Sequence, residues 1–278
     1  MKYASFRRAD GTPAYGRVEG DRIVELGAGA GAPVDLKAAI VGQALAGLAD
    51  GPSHALDGLE LLPVVPNPGK ILCVGHNYES HRQETGRAKV DNPSIFTRFA
   101  DTLVGHGGKI VRPKVSTNLD YEAELALIIG KGGRAISEAE AMDHVAGYAC
   151  FNDASVRDWQ WHTSQFTPGK NFPSTGGLGP WLVTPDEAGD LSDVHVVGRL
   201  NGEVVQDQPI SDLIFPIAKI IAYISAFTTL SPGDVIATGT PGGVGAKRTP
   251  PLWMKAGDRI EIDIGPIGTL INTIADEA

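Results

Sequence analysis

Apolar residues recur along this chain in short runs separated by turns rich in glycine and proline, a pattern typical of strands. The spacing of apolar residues over 35–49 differs from this pattern and predicts a helix with Asp35 as its N-cap. The predicted strands are 2–8, 14–18, 22–26, 70–74, 94–99, 121–129, 147–151, 181–184, 194–200, 203–205, 234–238, 259–264 and 269–274. The other predicted helices are 78–85, 137–143 and 213–227.

The order of these elements predicts two domains. Residues 1–65 form a small N-terminal α+β domain, and three prolines with a glycine between 62 and 69 mark the link to a second domain over 66–278. Strands outnumber helices in the second domain, which predicts a β-rich α+β fold, either a sandwich or a rolled barrel.

Composition narrows the class of protein. A hydrophobic content of 42% supports a packed core, and a formal net charge of −9 argues against nucleic acid as a partner. Cys73 and Cys150 stand beside apolar residues and are expected to be buried thiols rather than a disulfide or a zinc site. With no apolar leader and no run long enough to span a membrane, we expect a soluble cytoplasmic protein.

The first candidate chemistry lies in residues 120–130, DYEAELALIIG. A strand points residues i and i+2 to one face, so Glu122 and Glu124 project side by side, with Asp120 at the same parity. Buried carboxylates need a compensating cation, and Mg²⁺, Mn²⁺ and Ca²⁺ prefer oxygen ligands. Taken alone, the pattern fits an exposed strand face equally well.

A third acidic residue, Asp153, ends the apolar run 147–151. With Glu122 and Glu124 it would supply three protein oxygens and leave coordination positions for water and substrate. An N-cap for the following segment is the alternative role for Asp153, and Asp158 competes with it as a ligand.

His81 and Glu84 are spaced to share one face of a helix, where a carboxylate would orient the imidazole as a general base. A solvated polar helix is the alternative.

Lys170 follows a turn and could stabilise an oxyanion or enolate, or could be an exposed loop lysine. Residues 238–245, TGTPGGVG, predict a loop whose N–H groups bind a carboxylate, with a plain turn as the alternative.

Together these segments resemble the fumarylacetoacetate hydrolase family. The motifs occur in the family's order from about residue 68 to the C-terminus: 75–78 (GHNY), 120–125 (DYEAEL), 152–153 (ND), 157–158 (RD), 169–170 (GK) and 238–245 (TGTPGGVG). This resemblance implies a mixed β-roll catalytic domain that binds Mg²⁺ or Mn²⁺, with Ca²⁺ as a further option, in a homodimer. Arg98 and Asn171 depart from the family's usual residues, and Trp159 and Trp161 are unusual.

Site residues follow from the resemblance, residue by residue. It implies that Glu122, Glu124 and Asp153 are the metal ligands. It further implies catalytic roles for His81 and Glu84, on a lid that orders with ligand, and for Lys170, and substrate contacts for Tyr78, Arg157, Gln160 and Thr240.

The expected reaction is hydrolytic cleavage of a C–C bond in an acylpyruvate-type 1,3-diketo acid, such as fumarylpyruvate, maleylpyruvate or a diketo-deoxy sugar acid. The substrate would then be a small anionic 2-oxo acid from the catabolism of aromatic compounds or sugar acids. Decarboxylation of an oxaloacetate-type acid, or hydratase, tautomerase or isomerase activity, would use the same metal-stabilised enolate. A non-catalytic β-rich binding protein is an alternative of a different class.

Overall fold

Strands dominate the computed structural model, which describes residues 1–27, 29 and 31–278. The strands are β1 (Lys2–Arg7), β2 (Pro13–Glu19), β3 (Arg22–Leu26), β4 (Asp50–Ala55), β5 (Ile71–Gly75), β6 (Ser94–Arg98), β7 (Leu103–Val104), β8 (Lys109–Arg112), β9 (Leu119–Asp120), β10 (Ala123–Ile129), β11 (Val145–Asp153), β12 (Ser155–Val156), β13 (Gly176–Val183), β14 (His195–Leu200), β15 (Glu203–Pro209), β16 (Val235–Ala237), β17 (Arg259–Asp263) and β18 (Thr269–Asp276).

Helices are fewer and mostly short. They are α1 (Leu36–Val41), α2 (Glu79–Thr85), α3 (Arg157–Gln160), α4 (Thr167–Lys170), α5 (Pro185–Ala188) and α6 (Ile217–Phe227). Single 3₁₀ turns lie at Leu45–Gly47, Ala100–Thr102, Ala141–His144, Ile210–Asp212, Gly245–Lys247 and Gly265–Ile267. The predicted β-rich α+β fold is confirmed.

Two large sheets enclose the main core. An eleven-stranded sheet runs in the order β4-β3-β2-β1-β13-β11-β10-β16-β5-β6, with β7 beside β13. A five-stranded sheet runs β15-β14-β17-β18-β8, and β9 pairs with β12. Most neighbours are antiparallel, while β5 with β16, β7 with β13 and β8 with β18 are parallel. Apolar residues of β5, β10, β14, β17 and β18 pack together in one hydrophobic cluster, so the core lies between the sheets.

Strand β10 lies at the centre and is buried on both faces. Leu125 and Leu127 pack in the main cluster with residues of the five-stranded sheet and α6. Ala126 and Ile128 pack in a second cluster with residues of α1 and β1. This double burial explains the nearly continuous apolar run of the strand. Glu124 shares the parity of Ala126, so its carboxylate is carried into a buried region.

The first four strands extend the large sheet. β1 pairs antiparallel with β13, with Lys2 opposite Val183 and Tyr3 opposite Leu182. Hydrogen bonding therefore runs without interruption from the N-terminal strands to those that carry the acidic residues. The division into domains at residue 65 stays a prediction.

Some predicted helices are shorter than the pattern indicated. Asp35 caps α1 as predicted, accepting the N–H of Ala38 at 2.7 Å, but the helix ends at the Gly42 C-cap. The predicted helix at 137–143 is limited to the 3₁₀ turn at Ala141–His144. The predicted helix at 213–227 begins only after Pro216, whose extended backbone conformation is not helical.

Two further expectations from the sequence concern membrane-spanning segments and the two cysteines. Within the described ranges, no helix is long and apolar enough to cross a membrane. Cys73 and Cys150 are buried free thiols, as predicted.

Candidate metal and active site

Three carboxylates meet where β10 pairs with β11. In this antiparallel pair Ala123 lies opposite Asn152, and the backbone N–H of Asp153 donates to the carbonyl of Glu122 at 2.9 Å. The side chains of Glu122, Glu124 and Asp153 are buried, and one oxygen from each lies within 4.8 Å of the others. The register of a single strand pair thus gathers the acidic residues that the sequence singled out.

Two other acidic residues nearby, Asp120 and Asp158, form hydrogen bonds outside the carboxylate cluster. Backbone between β9 and β10 is not regular strand, so parity does not carry Asp120 to the carboxylate cluster. Its carboxylate accepts hydrogen bonds from Arg157 Nε and from the N–H of Gly245, both at 2.8 Å. Asp158, the competitor of Asp153, accepts the hydroxyl of Ser116 at 2.7 Å.

Basic side chains neutralise two of the three carboxylates. Lys170 Nζ lies 2.7 Å from Glu122 Oε2 and 2.6 Å from Asp153 Oδ2. Arg157 Nη1 lies 2.7 Å from Glu122 Oε1, and Arg98 Nη1 lies 2.6 Å from Asp153 Oδ1. Burial alone would lower the pKa of Lys170, but the charges of Asp153 and Glu122 outweigh it and raise that pKa. Lys170 therefore remains a buried ammonium.

Glu124 is the carboxylate without a basic partner among the residues that the structure describes. It accepts the N–H of Gly239 at 2.8 Å. Burial, reinforced by the charges of Asp153 and Glu122, raises the pKa of Glu124 well above its usual range. An all-oxygen set with one uncompensated carboxylate is the environment that a hard divalent cation stabilises. The residues therefore fit Mg²⁺ or Mn²⁺.

The glycine loop after β16 supports the acidic residues. Gly239 has a φ of +106°, and a Cβ at this position would lie 2.8 Å from the Cβ of Asn77. Only glycine fits both constraints, and its N–H then reaches Glu124. The hydroxyl of Thr240 donates to the carbonyl of Ala123 at 2.9 Å, which fixes the loop against β10.

His81 and Glu84 form the pair that their spacing on α2 predicted. Nδ1 of His81 lies 3.0 Å from Glu84 Oε2. A carboxylate only accepts hydrogen bonds, so Nδ1 carries the hydrogen. In the neutral imidazole, Nε2 is then the nitrogen whose lone pair can accept a proton. Burial would raise the pKa of Glu84, but hydrogen bonds from His81 and from the N–H of Gly243 outweigh it and lower the pKa. The second bond also ties α2 to the glycine loop.

Two neighbouring cavities that share lining residues adjoin this region. The inner chamber, of about 20 Å³, is lined by Glu122 and Glu124, and the outer chamber, of about 190 Å³, is lined by none of the three carboxylates. His81, Arg157 and Gln160 line both. Lys170 and Thr240 line the inner chamber. Five of the residues predicted for catalysis or substrate binding therefore face the same space.

Tyr78 does not. Its side chain is fully buried in the main hydrophobic cluster and lines neither chamber. Tyr78 lies at the N-cap of α2, where its backbone bridges to Leu213 and turns the ring into the core. The structure thus places the side chain of Tyr78 in the hydrophobic core and outside both chambers.

Sequence reasoning missed His76, which lines both chambers. Its φ of +55° is unusual for a residue with a side chain, and its ring stacks on that of His81 with centroids 5.3 Å apart. The buried Nδ1 of His76 has no hydrogen-bond partner among the described residues, and burial lowers the pKa of His76 to about 3. The only signal was its place in the 75–78 motif. Arg98, noted only as a departure, proves to hold Asp153.

Family models match nearly the whole chain. Residues 70–275 match the family described as fumarylacetoacetate (FAA) hydrolase C-terminal, and residues 1–63 match the one described as Rv2993c-like, N-terminal. A solved structure named fumarylacetoacetate hydrolase, from Exiguobacterium antarcticum, has a TM-score of 0.86 and 33% identity. One named 5-carboxymethyl-2-hydroxymuconate delta-isomerase, from Mycobacterium smegmatis, has a TM-score of 0.83 and 30% identity. In both cases the match covers 100% of each chain.

Sequence relatives carry a different activity in their names. The chain is 42% identical over 229 residues to the protein of Xenopus laevis named oxaloacetate tautomerase fahd2, mitochondrial, covering 81% of this chain and 72% of the relative. It is 43% identical over 225 residues to the oxaloacetate tautomerase YisK of Bacillus subtilis, covering 80% and 75%.

Proposed function

Because the chain belongs to the fumarylacetoacetate hydrolase family, we propose that it is a divalent-metal-dependent enzyme that interconverts the keto and enol forms of a small oxaloacetate-type 2-oxo acid. The observation that carries this choice is its likeness to relatives named oxaloacetate tautomerase over about four fifths of the chain. The acylpyruvate hydrolysis expected from the sequence has weaker support than this alternative.

The size and charge of the cavity agree with such a substrate. Sites for drug-sized ligands span roughly 300–1,000 Å³, whereas the outer chamber here has about 190 Å³. Arg87, Arg157 and Lys247 line it, and no acidic residue of the described chain does. A small anion is therefore favoured, although the whole protein carries a net charge of −9.

Glu122, Glu124 and Asp153 would hold the metal. A bound Mg²⁺ or Mn²⁺ would supply Lewis-acid polarisation of the substrate's 2-oxo group. The chain's own contribution is to keep these carboxylates in place, through Lys170 and Arg98, and to shield them from bulk water.

His81 is the base that transfers the proton in this reaction. Its free Nε2 takes a proton from C3 of the substrate, the C3–H electron pair becomes the C2=C3 double bond, and the electrons of the C2=O bond move to oxygen. The ammonium of Lys170 lies beside this oxygen's negative charge. The Nε2–H of the imidazolium then gives this proton to the oxygen, which completes the enol, and the reverse sequence gives the ketone. Glu84 stabilises the imidazolium that forms between the two proton transfers.

Hydrolytic C–C cleavage is the second candidate, and one observation favours it. The inner chamber, at about 20 Å³, has room for a single water beside His81. That water could be the nucleophile, with His81 as its base. Decarboxylation of oxaloacetate would need no activated water at all.

One panel of assays separates these reactions. Decay of the enol absorbance of oxaloacetate, its release of pyruvate and CO₂, and release of pyruvate from an acylpyruvate are each followed with Mn²⁺ and with EDTA. We expect metal-dependent loss of enol absorbance without CO₂ release. Metal-dependent cleavage of the acylpyruvate alone would instead favour the hydrolase.

The homodimer remains a proposal from the resemblance, and the cytoplasmic location remains a proposal from the sequence. Light scattering on the purified protein would measure the first, since a dimer doubles the mass of 29.2 kDa.

A further inference from the structure

Two basic side chains at the outer chamber have no role in the reaction just described. Arg87 follows Gly86, the left-handed C-cap of α2, and Lys247 ends the 3₁₀ turn at Gly245–Lys247. Both residues are exposed, and both line the outer chamber. In the described part of the chain neither forms a salt bridge, whereas Arg82, on the same helix as His81, pairs with Glu79.

Separate segments of the chain bring these two charges to one cavity. Arg87 comes from the end of α2, and Lys247 comes from the turn after the glycine loop. The bond from Gly243 to Glu84 holds those two segments together. Like charges at one cavity repel each other, and an anion bound between them would relieve that repulsion. The charge of Lys247 helps to lower the pKa of Glu84, but Glu84 already accepts hydrogen bonds from His81 and Gly243.

Positive charge also continues inward. Arg157 lines both chambers, and its buried Nη2 has no hydrogen-bond partner within the described ranges. Beyond it the ammonium of Lys170 lines the inner chamber. A ligand that extends from the carboxylate cluster to the outer rim would therefore meet basic groups at both ends.

We propose that Arg87 and Lys247 form a second anion subsite that binds the distal carboxylate of a 2-oxo dicarboxylic acid. This inference rests on the proposed function, in which a metal held by Glu122, Glu124 and Asp153 would polarise the 2-oxo group of the substrate. A monocarboxylic 2-oxo acid has no group for this subsite, so the enzyme selects dicarboxylates by affinity. Exposed basic residues are common on proteins, and the test must separate these two from ordinary surface charge.

A matched pair of non-reacting ligands provides that separation. N-oxalylglycine and N-methyloxamate share the oxalyl end, and only the first carries a distal carboxylate. Calorimetry measures the binding of each to the full-length Mn²⁺-loaded protein, so no turnover is needed. Arg87→Ala and Lys247→Ala should each weaken binding of N-oxalylglycine by about tenfold and leave that of N-methyloxamate unchanged.

Two control variants match the changes in charge. Lys89→Ala removes an exposed charge from the segment of Arg87, and Lys255→Ala removes one after the turn of Lys247. Neither residue lines the chambers, so both variants should bind N-oxalylglycine as the wild type does. Arg87→Lys should recover most of the lost affinity.

The outcomes are distinct. Equal affinity of the wild type for both ligands, or equal losses for both ligands in Arg87→Ala and Lys247→Ala, would overturn the subsite. Selective loss of N-oxalylglycine binding supports the subsite even if oxaloacetate is not turned over, in which case the proposed function fails alone. Turnover of oxaloacetate without any selective loss would leave the function and remove the subsite.

Discussion

The inner and outer chambers are built in different ways. The inner one is walled mainly by residues of β5, β6, β10, α3 and α4, and its charges are buried and held by short ion pairs. The outer one is walled by the end of α2 and by loops, and Arg87, Trp161 and Lys247 at its edge are exposed. The rigid region suits chemistry that tolerates little displacement, and the open region suits selection among substrates.

The largest expected effect comes from Asp153→Asn in the carboxylate cluster. The change leaves Arg98 and Lys170 buried with too little compensating charge, which should lower the free energy of unfolding by about 3–5 kcal/mol. Metal binding and activity should be lost as well. Denaturant titration measures the stability, with Asp158→Asn as the control. Similar stability of the two variants would show that the ion pairs of Asp153 contribute little.

Glu124→Gln should remove metal binding without that loss of stability. Burial raises the pKa of Glu124, so its contribution to stability is present below its ordinary pKa of 4.5 and is lost as the pH rises. At pH 7 the metal-free wild type therefore carries a penalty that the glutamine removes. Calorimetry should detect no Mn²⁺ binding, and denaturant titration should give an unfolding free energy equal to or above that of the wild type. Destabilisation as large as that of Asp153→Asn would contradict the assignment.

His81→Ala tests the junction of the two chambers. Removal of a general base typically costs 10²–10⁴-fold in rate, and we expect kcat for tautomerisation to fall in that range. Mn²⁺ affinity should not change, because His81 binds none of the three carboxylates. Glu84→Gln keeps a hydrogen-bond acceptor beside the ring and should lose less activity. An unchanged kcat in His81→Ala would remove this residue from the mechanism.

His76 gives the smallest effect, on the pH dependence of stability. Burial lowers its pKa to about 3 in the folded protein, so its contribution is present above the ordinary value of 6.5 and is lost as the pH falls. Between pH 6.5 and 5 the wild type should lose about 2 kcal/mol more unfolding free energy than His76→Asn, at roughly 1.4 kcal/mol per pH unit. Asparagine tolerates the left-handed backbone at this position. Parallel pH profiles would indicate that His76 is not buried as a neutral ring.

Strand alternation explains how much of the inner site was predictable. The sequence predicts a strand over 121–129 with Glu122 and Glu124 on one face, but β10 begins at Ala123, so only Glu124 lies in the regular strand. Glu122 stays beside it because its carbonyl accepts the N–H of Asp153, which continues the pairing with β11. The pairing of β10 with β11 then added Asp153, which the sequence had marked by its place at the end of an apolar run. The same parity failed for Asp120, because the chain leaves the strand conformation between β9 and β10.

The outer chamber was not predictable by the same means. Arg87 and Lys247 meet at one cavity only because α2 is tied to the glycine loop, and no local pattern encodes that contact. Tyr78 shows the converse, since it belongs to a recognisable motif but its side chain is directed into the core. Loop residues depend on the closure of the whole fold, whereas strand residues depend mainly on their neighbours.

The most direct test of the central claim is the rate of enol decay of oxaloacetate as metal-depleted protein is titrated with Mn²⁺. The account predicts that the rate rises until each chain has bound its metal, falls again on adding EDTA, and never rises with Glu124→Gln. A rate in the wild type that does not respond to Mn²⁺ or EDTA, or an equal response from Glu124→Gln, would contradict it.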